Sequence, residues 1–354
     1  MAMELYDIVV VGAGPAGSSA AEAAASAGAR VLVVERKHNI GRPVRCAEYI
    51  PARLLGEVSA GRGFVSQRVE GMETFLSGGL IQRTRAPGLI LERDLFDSAL
   101  VEKAVGAGAE LLTGASAVGL EGGLLTVRTR SGRVSTVAGS IIIGADGPHS
   151  RVGRWIGVRN TGLIPGIQAR ARLVKKLSFT QVHFFREIHC GYGWVFPKND
   201  QANVGLGMKP LPGGSSLNEA LDSFLETLTK EGVIRSASRA RTAGWIPAGP
   251  VRSFTSGNVL LAGDAAGHTN PVTGAGVAQA VLGGRMAGKH AAMGVAAKNP
   301  ETGARNYENE WMDMFGESHE RAWNRRLLLE DRWDDLDSVI RRCWVAFREY
   351  YAGS

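Results

Sequence analysis

The 354-residue sequence predicts an α/β protein: a parallel-sheet domain, an antiparallel β-rich segment inserted into it, and a helical C-terminus. Three observations carry this reading. LYDIVVV at 5–11, a glycine turn, an alanine-rich stretch and the apolar run VLVVE form a βαβ pattern whose strands are buried on both faces. GNVLLAG at 257–263 repeats the buried-strand pattern near the other end and leads into a small-residue helix. Between them, from about 160 to 245, QVHFF, GYGWVFP and ANVGLGM read as antiparallel strands, with Asn199–Asp200 at a turn.

Taken in order, the strand at 5–11 is followed by a helix over about 15–28 and a strand ending at Glu35. Residues 41–56 read as irregular and polar. An amphipathic helix opens at ERDLFDSALVEKA, around 92–108, and strands at 124–130 and 133–143 are joined at Ser131–Gly132. After the antiparallel segment, LNEALDSFLETLTKEG reads as a helix with a glycine stop. A long helix then starts from about 273, and the last fifty residues are helical and rich in Trp, Arg and Asp. Helical spacing of Trp311, Trp323, Trp333 and Trp344 reads first as core packing, and second as an amphipathic lid. No internal repeat or low-complexity tract is evident.

Hydrophobic residues make up 44% and charged residues 21%, values that allow a sizeable core and exclude a disordered chain. The formal charge is +7, and it is uneven: residues 1–300 carry the excess of Lys and Arg, while the last 54 are net acidic. That excess suits a phosphate-bearing ligand or an anionic membrane surface. It forms no block of like charge and no aromatic interleave, so no nucleic-acid partner is expected. Cys46, Cys190 and Cys343 are too scattered for a disulfide framework or a zinc site, which points to a reducing compartment and no metal. MAMELYDIVVVG is not a signal peptide, and the apolar stretch 273–297 is cut by Arg285, Lys289 and His290. The expected location is cytoplasmic, with peripheral contact at a membrane surface.

Gly12-Ala13-Gly14-Pro15-Ala16-Gly17 lies between strand and helix, the context of a Rossmann-type dinucleotide site. Gly12 permits the tight turn, Gly14 lets backbone N–H groups approach a pyrophosphate, and Gly17 lets helix and strand pack closely. Glu35, next to Arg36, ends the following strand where a carboxylate accepts from ribose hydroxyls. This motif alone does not choose between FAD and NAD. The second signature, GNVLLAGDAAGHTNPVTGAGVAQA, does. Asp264 at a strand end suits a ribityl hydroxyl, and the N–H groups of Gly276 and Val277 suit a flavin pyrimidine carbonyl, where reduction builds negative charge. An NAD domain has no need of this second site, so the expected cofactor is FAD.

GAGPAG, GADGPHSRVGR (144–154) and LLAGDAAGHTNPVTGAGVA resemble the three flavin motifs of the para-hydroxybenzoate-hydroxylase-like flavoproteins. Within that group, GRPVRCAEYI (41–50), LERDLFD (91–97) and GYGWVFPKNDQANVGLGM (191–208) resemble the geranylgeranyl reductase family, which includes the archaeal digeranylgeranylglycerophospholipid reductases. The resemblance covers roughly residues 5–290. It implies FAD contacts at Ala16, Glu35, Cys46, Ala47, Arg93, Asp264, Gly276 and Val277. The family motif Cys-Gly-Glu-Gly is replaced here by Cys46-Ala47-Glu48-Tyr49, and Tyr49 adds bulk. Asp146 is similar to an aspartate that serves FAD and pyridine nucleotide in the hydroxylases, with Arg151 near for a phosphate; the other reading of Asp146 is a cap for a helix at 149–155.

The resemblance implies a Rossmann-type FAD-binding domain (1–75, 88–158 and 245–298), a substrate domain (76–87 and 159–244) and a C-terminal helical region (299–354). It also implies reduction of C=C bonds in an isoprenoid or prenylated-lipid chain, with electrons from NAD(P)H or a reduced carrier protein. Saturating an isolated alkene needs a hydride and a proton on neighbouring carbons, in a site that excludes water. Tyr192, Trp194 and Phe196 alternate with Gly191, Gly193 and Val195, so one strand face presents an aromatic wall suited to polyprenyl carbons; an ordinary sheet core is the other reading. Cys46 follows Arg42 and Arg45, cations that favour a thiolate, and is a candidate for flavin chemistry alongside Tyr192 and Trp194. Cys190, Cys343, His189 and His268 read as structural. Two other functions fit the same cofactor: an aromatic monooxygenase using NAD(P)H and O2, and a flavoprotein passing electrons to a quinone.

Overall fold

The computed structural model describes residues 4–57, 63–250 and 252–352; the first three residues of the N-terminal stretch read above lie outside them. In chain order the first elements are β1 (Glu4–Val11), α1 (Pro15–Ser26), β2 (Val31–Glu35), β3 (Tyr49–Pro51), α2 (Leu54–Glu57), β4 (Val65–Leu76) and β5 (Gly79–Leu91). Next come α3 (Arg93–Gly106), β6 (Glu110–Thr113), β7 (Ala115–Glu121), β8 (Leu124–Thr129), β9 (Val134–Gly144) and α4 (Arg151–Trp155). The middle of the chain forms β10 (Leu163–Leu173), β11 (Phe179–Phe184), β12 (Tyr192–Lys198), β13 (Gln201–Gly207), α5 (Leu217–Lys230) and β14 (Ile234–Pro247). The remainder holds β15 (Thr255–Ser256), β16 (Val259–Leu261), α6 (Val277–Ala296), α7 (Pro300–Trp311), α8 (Glu317–Asp331) and α9 (Leu336–Cys343).

The chain divides into two compact units. The first comprises Met1–Arg42, Asp94–Gly162 and Pro247–Arg321. Its sheet runs β15-β16-β9-β1-β2-β6, and the five strands from β16 to β6 are parallel. Parallel strands covered on both faces need continuous apolar runs, and Ile8, Val9, Val10, Ile141, Ile142 and Ile143 are all fully buried. Helices α1 and α6 cross without large side chains between them. A Cβ on Gly284 would lie 2.2 Å from the Ala16 carbonyl oxygen, and one on Gly288 would lie 2.1 Å from that of Ala20. Only glycine at these two positions, one helical turn apart, allows the approach.

The second unit comprises Pro43–Arg93, Leu163–Ile246 and Ala322–Ser354. Its sheet runs β14-β10-β13-β12-β11-β4-β5-β3; the β10–β13, β13–β12, β12–β11, β4–β5 and β5–β3 pairs are antiparallel and β11–β4 is parallel. Helix α5 packs on one face through Leu221, Phe224, Leu225 and Leu228. Ser216 and Glu219 close a capping box at its start, a device worth about 1 kcal/mol.

The predicted strands and helices are present, with three differences of detail. Helix α6 starts at Val277 rather than 273, because Asn270 closes a loop ahead of it: its Oδ1 accepts the N–H groups of Val272 and Thr273. The segment 41–56 is irregular as read, except for the short β3 and the start of α2. The C-terminus is α-helical only to Cys343, after which Trp344 is extended and a single 3-10 turn follows at Arg348–Tyr350. Trp311, Trp333 and Trp344 are buried and Trp323 is half-buried, so three of the four tryptophans follow the core-packing reading of that tail. Among the described residues no helix is long and apolar enough to cross a membrane.

Candidate active site

In the first unit the turn 12–17 is shaped by what cannot be there. Gly12 has φ +105°, and a Cβ on it would lie 2.3 Å from the Ala145 carbonyl oxygen. A Cβ on Gly17 would lie 1.9 Å from the Gly12 carbonyl oxygen. At Gly14 the opposite holds: nothing lies within 4 Å of a Cβ position, so the start of α1 faces open space. Gly14 caps α1 without a side-chain hydrogen bond, which leaves its first-turn N–H groups for an anion. Glu35 is buried beneath; it accepts the Ala13 N–H (2.8 Å) and the Lys37 N–H (2.8 Å), so its carboxylate also braces the turn. Arg36 is exposed beside it.

The second signature meets the first. Gly263 has φ +63° and a Cβ there would stand 2.9 Å from that of Ala16. Asp264 accepts the Thr269 hydroxyl (2.8 Å), and its carbonyl accepts from the Asn160 amide (2.8 Å). A Cβ on Gly276 would lie 2.8 Å from Thr269 Oγ1 and 3.4 Å from Asp264 Oδ1, so the start of α6 sits directly against Asp264. Gly276 caps α6 without a side-chain bond, leaving a second set of N–H groups, with that of Val277, at a helix start. Two glycine-built helix starts with carboxylates beside them, Glu35 buried and Asp264 half-buried, fit a dinucleotide such as FAD. Gly284 and Gly288, which bring α1 against α6, were not among the residues singled out above; their four-residue spacing in VLGGRMAGKH is the signal that marks them.

Asp146 accepts from the Ser150 hydroxyl and from the N–H groups of Arg151 (2.6 Å) and Val152 (3.3 Å), so it caps α4. The Arg151 guanidinium donates to the Ala117 carbonyl. His268 is fully buried and stacks on Trp311 with ring centroids 4.1 Å apart; burial holds its imidazole neutral.

In the second unit, β12 places Tyr192, Trp194 and Phe196 on one face, and the glycines around them have specific neighbours. A Cβ on Gly193 would run into the Phe224 ring at 2.8 Å, so that face is core. On the aromatic face the Trp194 indole lies across Gly205 of the adjoining β13 and Gly166 of β10 beyond it; a Cβ on Gly205 would be 2.6 Å from its Cζ2. Tyr192 lies 6.1 Å from Trp194, 5.9 Å from Phe184 and 5.2 Å from Trp344, and Tyr49 meets Phe196 edge-on at 6.0 Å. Tyr49 in turn covers Gly88, where a Cβ would be 2.1 Å from its ring. Burial raises the Tyr192 phenol far above its ordinary value and so keeps it protonated.

Cys46, Ala47 and Arg93 converge on a residue the sequence reading passed over. Cys46 Sγ accepts the Glu48 N–H (3.2 Å), the Ala47 carbonyl accepts from Asn203 (3.1 Å), and the Arg93 N–H donates to Glu48 Oε1 (2.9 Å). The Cys46 carbonyl accepts from Gln168 (2.9 Å). Arg42 is engaged by Asp94. Cys190 and Cys343 are buried, which pushes each thiol up to about 11, and His189 lies against Cys190 Sγ and Trp333.

Comparison with known proteins supplies the family. Residues 7–147 match the FAD dependent oxidoreductase model. Digeranylgeranylglycerophospholipid reductase 1 of Methanopyrus kandleri is 37% identical over 95% of this chain and 93% of its own length. The digeranylgeranylglycerophospholipid reductase of Methanothrix thermoacetophila is 34% identical over 94% of this chain and 90% of its own. The crystal structure of a geranylgeranyl bacteriochlorophyll reductase-like protein from Thermoplasma acidophilum superposes with a TM-score of 0.85 at 29% identity, covering 96% of this chain and 92% of that one. Similarity at this level over nearly the whole chain leaves one assignment: the protein belongs to the digeranylgeranylglycerophospholipid reductase family and is an FAD-dependent oxidoreductase.

Proposed function

We propose that the protein is an FAD-dependent reductase that saturates C=C bonds in the isoprenoid chains of a prenylated lipid, the class of molecule named for its relatives. The observation that carries the reading is the row of aromatic rings Tyr192, Trp194 and Phe196 on one face of β12, with the Trp194 indole seated on glycine backbone, in a chain with two glycine-built helix starts. Gly12, Gly14, Ala16 and Gly17 would hold the pyrophosphate, Glu35 and Arg36 the adenosine ribose, Asp264 the ribityl chain, and Gly276 and Val277 the pyrimidine edge; the resemblance adds Cys46, Ala47, Arg93 and Asp146. Bound FAD, once reduced, supplies the hydride for one alkene carbon. The chain's own part is to hold the alkene against the rings, exclude water and place a proton for the second carbon. Tyr192 Oη is the candidate to place that proton: a phenol is protonated at neutral pH, and burial raises this one further; Cys46 is the other candidate for the chemistry. Electrons reach the flavin from NAD(P)H or a reduced carrier protein.

The test is anaerobic. The holoenzyme is reduced with dithionite and given geranylgeranyl diphosphate or a geranylgeranylated glycerophospholipid, and the product mass is read. A gain of two hydrogens per double bond is expected. Unchanged lipid with reduced flavin would overturn the reading and favour the hydroxylase or quinone-reducing alternatives.

A lipid substrate also calls for contact with a membrane surface. A cleft of about 240 Å³ in the second unit is lined by Arg172, Val174, Lys175, Lys176, Asp200 and Arg235, four cations against one carboxylate, with Val174 exposed. This composition supports docking to anionic headgroups. Flotation with anionic but not zwitterionic vesicles, lost in Lys175→Glu/Lys176→Glu, is the expected result; equal flotation of both proteins would sink the idea.

A further inference from the structure

Glu48 is a buried glutamate in a backbone conformation that favours glycine. Its φ is +72°, and only 1% of its surface is exposed. Such a conformation persists in a non-glycine residue only where the surroundings over-determine it. Here every polar group of Glu48 is engaged. Its N–H donates to Cys46 Sγ (3.2 Å) and its carbonyl accepts the Leu91 N–H (2.8 Å). Oε1 accepts the Arg93 N–H (2.9 Å), while Oε2 accepts from Lys198 Nζ (2.7 Å), Asn203 Nδ2 (2.8 Å) and Arg170 (3.3 Å).

All four partners of the carboxylate are donors, so only a group with acceptors on both atoms satisfies them; a glutamine would turn its NH2 against one of them. Two of those donors have further reach. Lys198, itself 4% exposed and also bound to Glu92 (2.7 Å), closes β12, the strand that carries Tyr192, Trp194 and Phe196. Asn203 binds the Ala47 carbonyl as well as Glu48. One carboxylate therefore ties the turn holding Cys46 to the strand holding the aromatic row.

We infer that Glu48 is a positioning residue: it locks the turn that presents the Cys46 thiol and, through Lys198, fixes that turn against the strand bearing Tyr192 and Trp194. Tyr192 and Trp194 keep their role from the reading above, and so does Cys46, but the lock itself is testable without that reading. The holoprotein is treated with iodoacetamide and alkylation is followed cysteine by cysteine by mass spectrometry. In Glu48→Gln, Cys46 should react at least ~5-fold faster as the turn is released, while buried Cys190 and Cys343 keep their slow rates. An unchanged Cys46 rate, or an equal rise at all three cysteines, would overturn the inference; the second outcome would mean general loss of structure. If Glu48→Gln does not fold, Lys198→Met decides: it removes one of the four donors and should accelerate Cys46 in the same direction by ~2-fold, and no change refutes the lock. Turnover of Cys46→Ala separates the two levels. Full activity there would end a chemical role for Cys46 and leave the alkylation result to stand or fall alone.

Discussion

The two units build their candidate sites by opposite means. In the first, the geometry rests on missing side chains: Gly12, Gly17, Gly276, Gly284 and Gly288 each stand where a single Cβ would strike a neighbouring residue. In the second, it lies in large rings, with Trp194 laid on Gly205 and Tyr192 surrounded by Phe184, Trp194 and Trp344. A site made of backbone has no repertoire of rotamers with which to absorb a change. A site made of rings retains its character under a change of similar shape. The first should fail abruptly on substitution and the second gradually.

Breaking the glycine turn gives the largest effect. In Gly17→Ala the added carbon meets the Gly12 carbonyl oxygen, and visible flavin absorbance per protein should fall about tenfold or more on purification. Retention of full flavin content would show that the turn adapts, and the contrast between the units would lose its basis.

Truncating the wall comes next. Trp194→Ala should keep its flavin yet lose about 10- to 100-fold in lipid turnover and about 3–5 kcal/mol of stability, whereas Trp194→Phe, closer in shape, keeps most of both. Lipid product and thermal midpoint are the two readouts. Equal losses in the two variants would mean that ring shape is not what the strand supplies.

The smallest effect sharpens the comparison through pH. Each unit buries a histidine among rings, His268 in the first and His183 in the second, and burial pulls both imidazoles down, His183 to about 3. The unfolded chain takes up these protons below about pH 6.5 and the folded protein does not, so stability falls as pH drops from there. At pH 5 His183 alone accounts for about 2 kcal/mol. The thermal midpoint should drop between pH 7.5 and pH 5, and His183→Phe should flatten that drop. An unshifted profile in the variant would remove His183 from the account.

The parallel unit was legible because its signals are local. LYDIVVV, the glycine turn and VLVVE lie within thirty-five residues, and Gly17 meets Gly12 within the same turn, although Gly12 itself packs against Ala145. The antiparallel unit was legible strand by strand between 179 and 207, where turns and alternation are clear. The paired strands at 65–91 were not, since their burial follows no clean two-residue alternation and the pairing contains three register shifts. Glu48 was invisible for a different reason. Its neighbours in sequence are Ala47 and Tyr49, while the donors it serves, Arg170, Lys198 and Asn203, are more than a hundred residues away. Acidic residues in an irregular segment usually face water, and only the assembled sheet shows that this one does not.

The glycine seam between α1 and α6 has a consequence for how the protein is made. The Ala16–Ala20 stretch that receives Gly284 and Gly288 leaves the ribosome about 270 residues ahead of its counterpart, an interval of roughly 15–50 s at ordinary rates of synthesis. Throughout that time the first βαβ motif lacks the helix that seals it. The nascent chain must therefore carry an alanine-lined, half-finished nucleotide fold past the synthesis of the entire second sheet, and the small residues that make the finished seam tight also keep that waiting surface only weakly sticky.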